Sequence, residues 1–256
     1  MIDIHCHLEY MQEPEQVIAE ARRKMTAIIT SVADIKHKDM ILELWDKNPD
    51  FLYVSFGLHP ERISNYSDAE IDNYIDFIQA NKEKVVAIGE CGLDYLQVKE
   101  DEMARAKSFF LRFIELSKEL KLPLIVHARN KPGSNDCFND ILKIITESDA
   151  KQVVFHCFSG SEGNLKYALD QGYWISFATV VCKSEKHKRL AEKTPLNKML
   201  LETDSPWLDP ASLELTNRPW KIAESAKVIA EIKDITAQEV LRKTEDNAKR
   251  VFRLPI

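Results

Sequence analysis

The chain has no run of about eighteen apolar residues, so no transmembrane helix is expected. A basic segment followed by an apolar one is missing from the N-terminus. No signal peptide is therefore expected, and the cytoplasm is the default compartment. No Cys-X-X-Cys pair occurs, which argues against a Cys/His zinc finger, and the scatter of five cysteines fits no disulfide framework. Excess positive charge is also missing: the net charge is −6, so the chain has no general attraction for polyanions, and any such substrate must be held locally. The basic runs Arg22-Arg23-Lys24 and Lys186-His187-Lys188-Arg189 read as solvated helix faces. A Gly-X-Gly-X-X-Gly turn after the first apolar run is absent, which argues against a doubly wound dinucleotide-binding sheet. No linker or low-complexity stretch divides the 256 residues, so residues 1–256 are expected to form one domain.

What the chain does have begins with Asp3-Ile4-His5-Cys6-His7. Read as a strand, this stretch turns Asp3, His5 and His7 to one face and Ile2, Ile4 and Cys6 to the other. An isolated His-X-His is commonly a pair of satisfied core histidines. The remaining chain argues otherwise. Eight β-branched or apolar runs alternate with helix-periodic segments, the clearest helix spanning Glu100 to Leu120 with Ala106, Phe109, Phe110, Phe113 and Leu116 on its buried stripe. The expected fold is an α/β, single-domain (β/α)8 TIM barrel with two extra C-terminal helices, near 219–232 and 237–250. His5, His7, His59, Glu90, His127, His156 and Asp204 all fall at or just past strand ends, where barrel enzymes gather their chemistry. Cys6, Cys91 and Cys157 each follow one of these residues, and alternation assigns them to the helix layer as small buried residues.

Four histidines and two carboxylates exceed what one tetrahedral ion needs, and they suit two adjacent divalent cations. Glu90 is placed to bridge the cations, and Asp204 to accept a proton from the attacking water. Zinc, manganese or iron suits the mixed donor set, magnesium less comfortably. His59 is a further candidate for the site. Arg129 and Arg218 have the planar fork that holds phosphate oxygens, although surface ion pairing would also explain each. Trp207 and Trp220 lie near the last strand end, where an aromatic could stack on bases; core packing suits Trp220 better.

The motifs Asp3-Ile4-His5-Cys6-His7, Gly57-Leu58-His59-Pro60, Gly89-Glu90-Cys91-Gly92-Leu93-Asp94, Val126-His127-Ala128-Arg129, His156-Cys157-Phe158-Ser159-Gly160 and Glu202-Thr203-Asp204-Ser205-Pro206 span nearly the whole chain. Together they resemble the TatD-type metal-dependent deoxyribonucleases of the amidohydrolase superfamily. The resemblance implies a TIM barrel in which His5, His7, Glu90, His127, His156 and Asp204 ligate metal (zinc, manganese or magnesium). It also implies hydrolysis of DNA phosphodiesters from the 3′ end. Two features depart from that pattern: Glu61 follows Pro60, where its charge would oppose a phosphate, and residues 130–136 replace an acidic continuation. The acidic composition and a recessed barrel mouth favour single-stranded or frayed DNA ends, gripped by Arg129 and Arg218. The other readings are an ester or amide hydrolase on the same scaffold, such as an aminoacyl-tRNA deacylase, and a binding protein that keeps a degenerate site.

Overall fold

The computed structural model describes residues 1–256. Eight parallel strands lie in sequential order: β1 (Ile2–Cys6), β2 (Ala27–Val32), β3 (Leu52–Phe56), β4 (Val85–Asp94), β5 (Leu124–Arg129), β6 (Val153–Phe155), β7 (Trp174–Phe177) and β8 (Met199–Leu201). Between them run α1 (Pro14–Arg22), α2 (Lys38–Lys47), α3 (Asp68–Ala80), α4 (Met103–Leu120), α5 (Asp136–Glu147), α6 (Glu162–Asp170) and α7 (Glu185–Lys193). Two more helices, α8 (Ile222–Lys233) and α9 (Ala237–Phe252), follow β8. The expected (β/α)8 barrel is therefore present. Of the two helices expected as extras, α8 is the eighth of the barrel set, and only α9 is additional. No helix is long and apolar enough to cross a membrane.

Two buried layers explain why the strands are apolar on both faces. The larger joins one set of strand residues, among them Leu52, Val54, Phe56, Leu124, Val126 and Phe155, to the helices, with Phe109, Phe110 and Phe113 of α4 fully covered. The smaller takes the alternate residues of seven strands, including Ile29, Tyr53, Ala87, Ile125, Val154 and Leu200, and fills the barrel. Ala248, Val251 and Phe252 of α9, with Leu254 beyond it, join that inner cluster, so α9 plugs one end. Helix starts follow local chemistry: Ser67 caps α3 in a reciprocal box with Glu70, and Ser161 caps α6 with Asn164.

The barrel closes at the meeting of β1 and β8. Asp204 N–H donates to the His5 carbonyl (3.0 Å) and His7 N–H to the Ser205 carbonyl (2.8 Å). The Asp3 carboxyl accepts the Thr203 N–H (3.0 Å) and the Thr203 hydroxyl across the same seam. Burial raises the Asp3 pKa well above the usual carboxylate range, against the pull of these hydrogen bonds. Asp3 is thus a seam residue.

The expected alternation in β1 is broken. Its register against β2 shifts between Asp3 and Cys6, so Ile2 and Ile4 join the inner cluster while Cys6 packs in the outer one. The fourth strand also differs from expectation: it does not stop at Glu90 but runs on to Asp94.

Candidate metal centre

His5 and His7 from β1 and its end meet Glu90 from mid-β4, His127 from β5, His156 just past β6 and Asp204 just past β8. The inward nitrogens form two pairs: His5 Nε2 lies 3.0 Å from His7 Nε2, and His127 Nδ1 lies 3.2 Å from His156 Nε2. Glu90 spans both. Its Oε1 is 3.5 Å from His7 Nε2, and its Oε2 is 3.0 Å from His156 Nε2 and 3.4 Å from His127 Nδ1. Asp204 Oδ1 adjoins the first pair, 3.3 Å from His7 and 3.8 Å from His5. The backbone serves this placement, since Asp204 adopts a left-handed conformation at φ 56° immediately after the seam.

Behind three of the imidazoles stands a buried carboxylate that the strand-end reading did not single out. Glu9 lies 3.2 Å from His7 Nδ1, Asp94 3.3 Å from His127 Nε2, and Glu202 3.2 Å from His156 Nδ1. Backbone amides hold each in place: Ala33 on Glu9, Leu96 and Gln97 on Asp94, Cys157 on Glu202. A carboxylate on the outer nitrogen keeps the N–H there and turns the lone pair of the inner nitrogen into the site. His5 differs, because its Nδ1 is buried without a partner.

The electrostatics favour positive charge in the middle. Burial opposes protonation of His7, His127 and His156, yet the carboxylates around them raise all three pKa values. Burial and the neighbouring imidazoles lower His5, and His59 falls to about 3 through burial and the nearby His127. Glu90 is held well below the usual range by His59, His156 and His127 despite its burial. Five carboxyl groups, Glu9, Glu90, Asp94, Glu202 and Asp204, surround the four imidazoles. Inward lone pairs among these carboxyl groups fit divalent cations.

A cavity of about 630 Å³ opens over these groups, in the range of small-ligand sites. His59, Arg129 and Asp204 line it, and so does Glu61, the departure noted in the sequence. Arg218 is not among the lining residues; its guanidinium donates to the Asn217 carbonyl (2.8 Å). Arg62, which the sequence did not single out, lines the cavity. His187, read as part of a solvated helix face, also lines it, with Nδ1 2.8 Å from the Ser184 hydroxyl. Cys157 corrects another expectation. It lies past the end of β6 at φ 41°, so strand alternation does not apply, and it lines the cavity instead of facing the helix layer. Burial pushes its thiol pKa well up, so it stays protonated.

Residues 2–253 match the family model described as TatD related DNase. The chain belongs to the TatD family. An archaeal relative described as an uncharacterized metal-dependent hydrolase, MJ1582 of Methanocaldococcus jannaschii, is 33% identical over 98% of this chain and 96% of its own length. The human deoxyribonuclease TATDN3 is 28% identical, with 98% of this chain and 94% of the relative covered. Among solved structures, the TatD homologue YJJV of Escherichia coli superposes with a TM-score of 0.88 at 26% identity, covering 100% of this chain and 98% of that one. A phosphotriesterase homology protein from Escherichia coli shares the fold at a TM-score of 0.70 and 14% identity. This TatD protein is a metal-dependent hydrolase.

Proposed function

We propose that the protein is a deoxyribonuclease that removes nucleotides from single-stranded or frayed DNA ends, using two divalent cations (zinc, manganese or magnesium). The observation that carries the two-cation reading is the pairing of inward nitrogens, His5 with His7 and His127 with His156, on either side of Glu90. His5, His7 and Asp204 would hold one cation, His127 and His156 the other, with Glu90 shared. Two cations supply four positive charges against the five carboxylates of the site. When bound, they polarise a phosphate oxygen and lower the pKa of a water.

The protein's own groups complete the chemistry. Asp204 sits beside the first pair and accepts the proton of the attacking water. His59, neutral because of its burial, takes a hydrogen bond from the Glu61 N–H on Nδ1 (3.3 Å), which leaves its other nitrogen as a donor toward a phosphate oxygen. Arg129 reaches the mouth and is half exposed, with its Nη1 3.9 Å from Asp94, too far for a hydrogen bond. It is free to hold a phosphate, and Arg62 takes the place assigned in the sequence to Arg218.

DNA is favoured because a curated relative aligned over nearly the full chain, human TATDN3, is a deoxyribonuclease. Engagement of an end is favoured by the acidic surface and by Glu61 at the mouth, which opposes a long run of phosphates. The 3′-to-5′ direction follows the family resemblance. The test uses end-labelled single strands and covalently closed circles with manganese, zinc or magnesium. Strands shortening stepwise while circles survive supports the reading. Rapid cutting of circles refutes the exonuclease, and turnover of aminoacyl esters with DNA untouched moves the protein to the deacylases.

A further inference from the structure

The two sides of the cavity differ in chemistry. His59, Arg129 and Asp94 gather around His127, with the His59 and His127 rings 4.3 Å apart. On the other side Trp207 sits edge-on to His7 at 5.2 Å, and Tyr10 packs against Trp207 at 5.2 Å. His37 backs Tyr10 at 5.4 Å. One imidazole pair therefore adjoins a polar wall that carries Arg129, and the other an aromatic one. Trp207 is the only one of the four tryptophans that lines the cavity. Both Trp207 and Tyr10 are partly exposed there, so aromatic surface meets water beside a charged centre. Covering such surface with a flat apolar group is favourable.

The platform is built rigidly. Trp207 N–H donates to the Asp204 carbonyl (3.0 Å), and its own carbonyl accepts from Asn217 Nδ2 (2.7 Å). Asn217 is fully buried, and the same Nδ2 also lies 3.0 Å from the Thr203 carbonyl and 2.9 Å from the Thr179 hydroxyl, its two hydrogens shared among the three oxygens. The tryptophan is thus tied to the backbone that presents Asp204, three residues away. A group stacked on Trp207 is placed in a fixed relation to the reacting centre.

We infer that Trp207 and Tyr10 form a nucleobase subsite, on which the unpaired base of the terminal nucleotide stacks while its phosphate lies toward His59 and Arg129. The inference rests on the nuclease reading and deepens it. A base inside a duplex has both faces covered by its neighbours, so the subsite takes only a terminal or unstacked base. No Asn or Gln lines the cavity, so no side-chain amide is available to read a base edge. Recognition at this subsite is by stacking on a ring face, which every base offers.

The test is calorimetric binding of 5′-dAMP and of 2-deoxyribose 5-phosphate to the manganese-loaded full chain, run alongside the strand-shortening assay. The wild-type protein should bind dAMP at least about tenfold more tightly than the sugar phosphate, the worth of one stacked base. Trp207→Ala should bring the two ligands within about twofold of each other, Trp207→Phe should keep most of the difference, and Tyr10→Ala should reduce it. Equal wild-type affinities, or a difference that survives Trp207→Ala, overturns the subsite. If strands are shortened while the two ligands bind equally, the subsite fails and the nuclease reading stands. If dAMP is preferred through Trp207 but no strand is cut, the subsite stands and the nuclease reading fails.

Discussion

At the scale of single residues, Asp204 carries the most exposed expectation. Asn in its place keeps the shape and loses the basicity, so kcat should fall at least about a hundredfold with a smaller change in substrate binding. Single-turnover kinetics on a labelled strand checks this, and a rate within about twofold of wild type would assign the proton to another group. His187 offers a measurement independent of activity. Burial and the adjacent Lys186 lower its pKa to about 4, so an NMR titration should place its midpoint well below the ordinary histidine value. The sign for stability follows. The unfolded chain takes up this proton near pH 6.5 and the folded chain only near 4, so the contribution is present above 6.5 and is lost as pH falls through that window. His187→Asn should flatten the acid decline of thermal stability between those values.

At the scale of elements, the ends of β1, β4 and β8 each contribute a carboxylate that holds a histidine from outside. Glu202→Gln, Glu9→Gln and Asp94→Asn should each weaken metal binding about ten- to a hundredfold while the fold persists, as equilibrium dialysis with manganese would show. Unchanged affinity in all three would mean that the imidazoles need no bracing. These partners were hard to read from sequence for a physical reason. Glu9 and Glu202 stand two residues from a candidate ligand and resemble any charged neighbour, and only the tertiary approach of Glu202 to His156, 46 positions away, gives it a role. Asp94 was visible within Gly89–Asp94, but its purpose depends on β4 continuing past Glu90 to lie beside β5. The strands themselves were legible, because their residues are apolar on both faces. Cys157 and the parity of β1 were not, because a left-handed residue and a register shift leave no mark in a hydrophobic pattern. The closing helix α9 makes a separate prediction: Phe252 is buried in the inner cluster, and Phe252→Ala should cost about 3–5 kcal/mol in denaturant unfolding.

At the scale of the whole molecule, the charge of −6 and the recessed centre act together. Few phosphates can be neutralised at once, so the dependence of strand binding on salt should be shallow. A plot of log affinity against log salt should have a slope near −1 to −2 for single strands, about 0.7 for each phosphate contact. A slope several times steeper would reveal a long phosphate track that the barrel surface does not offer.

The seam between the first and last strands has a consequence for the protein's biosynthesis. Thr203 and Asp3 are 200 positions apart, and the ligands on either side of that seam are separated by nearly as much. A chain emerging from the ribosome presents His5 and His7 nearly 200 residues before Asp204. A copy interrupted before β8 therefore holds the imidazoles of β1 without the Asp204 carboxylate that adjoins them. The assembled centre is therefore a property of the folded chain with its last strand in place, and no earlier fragment contains it.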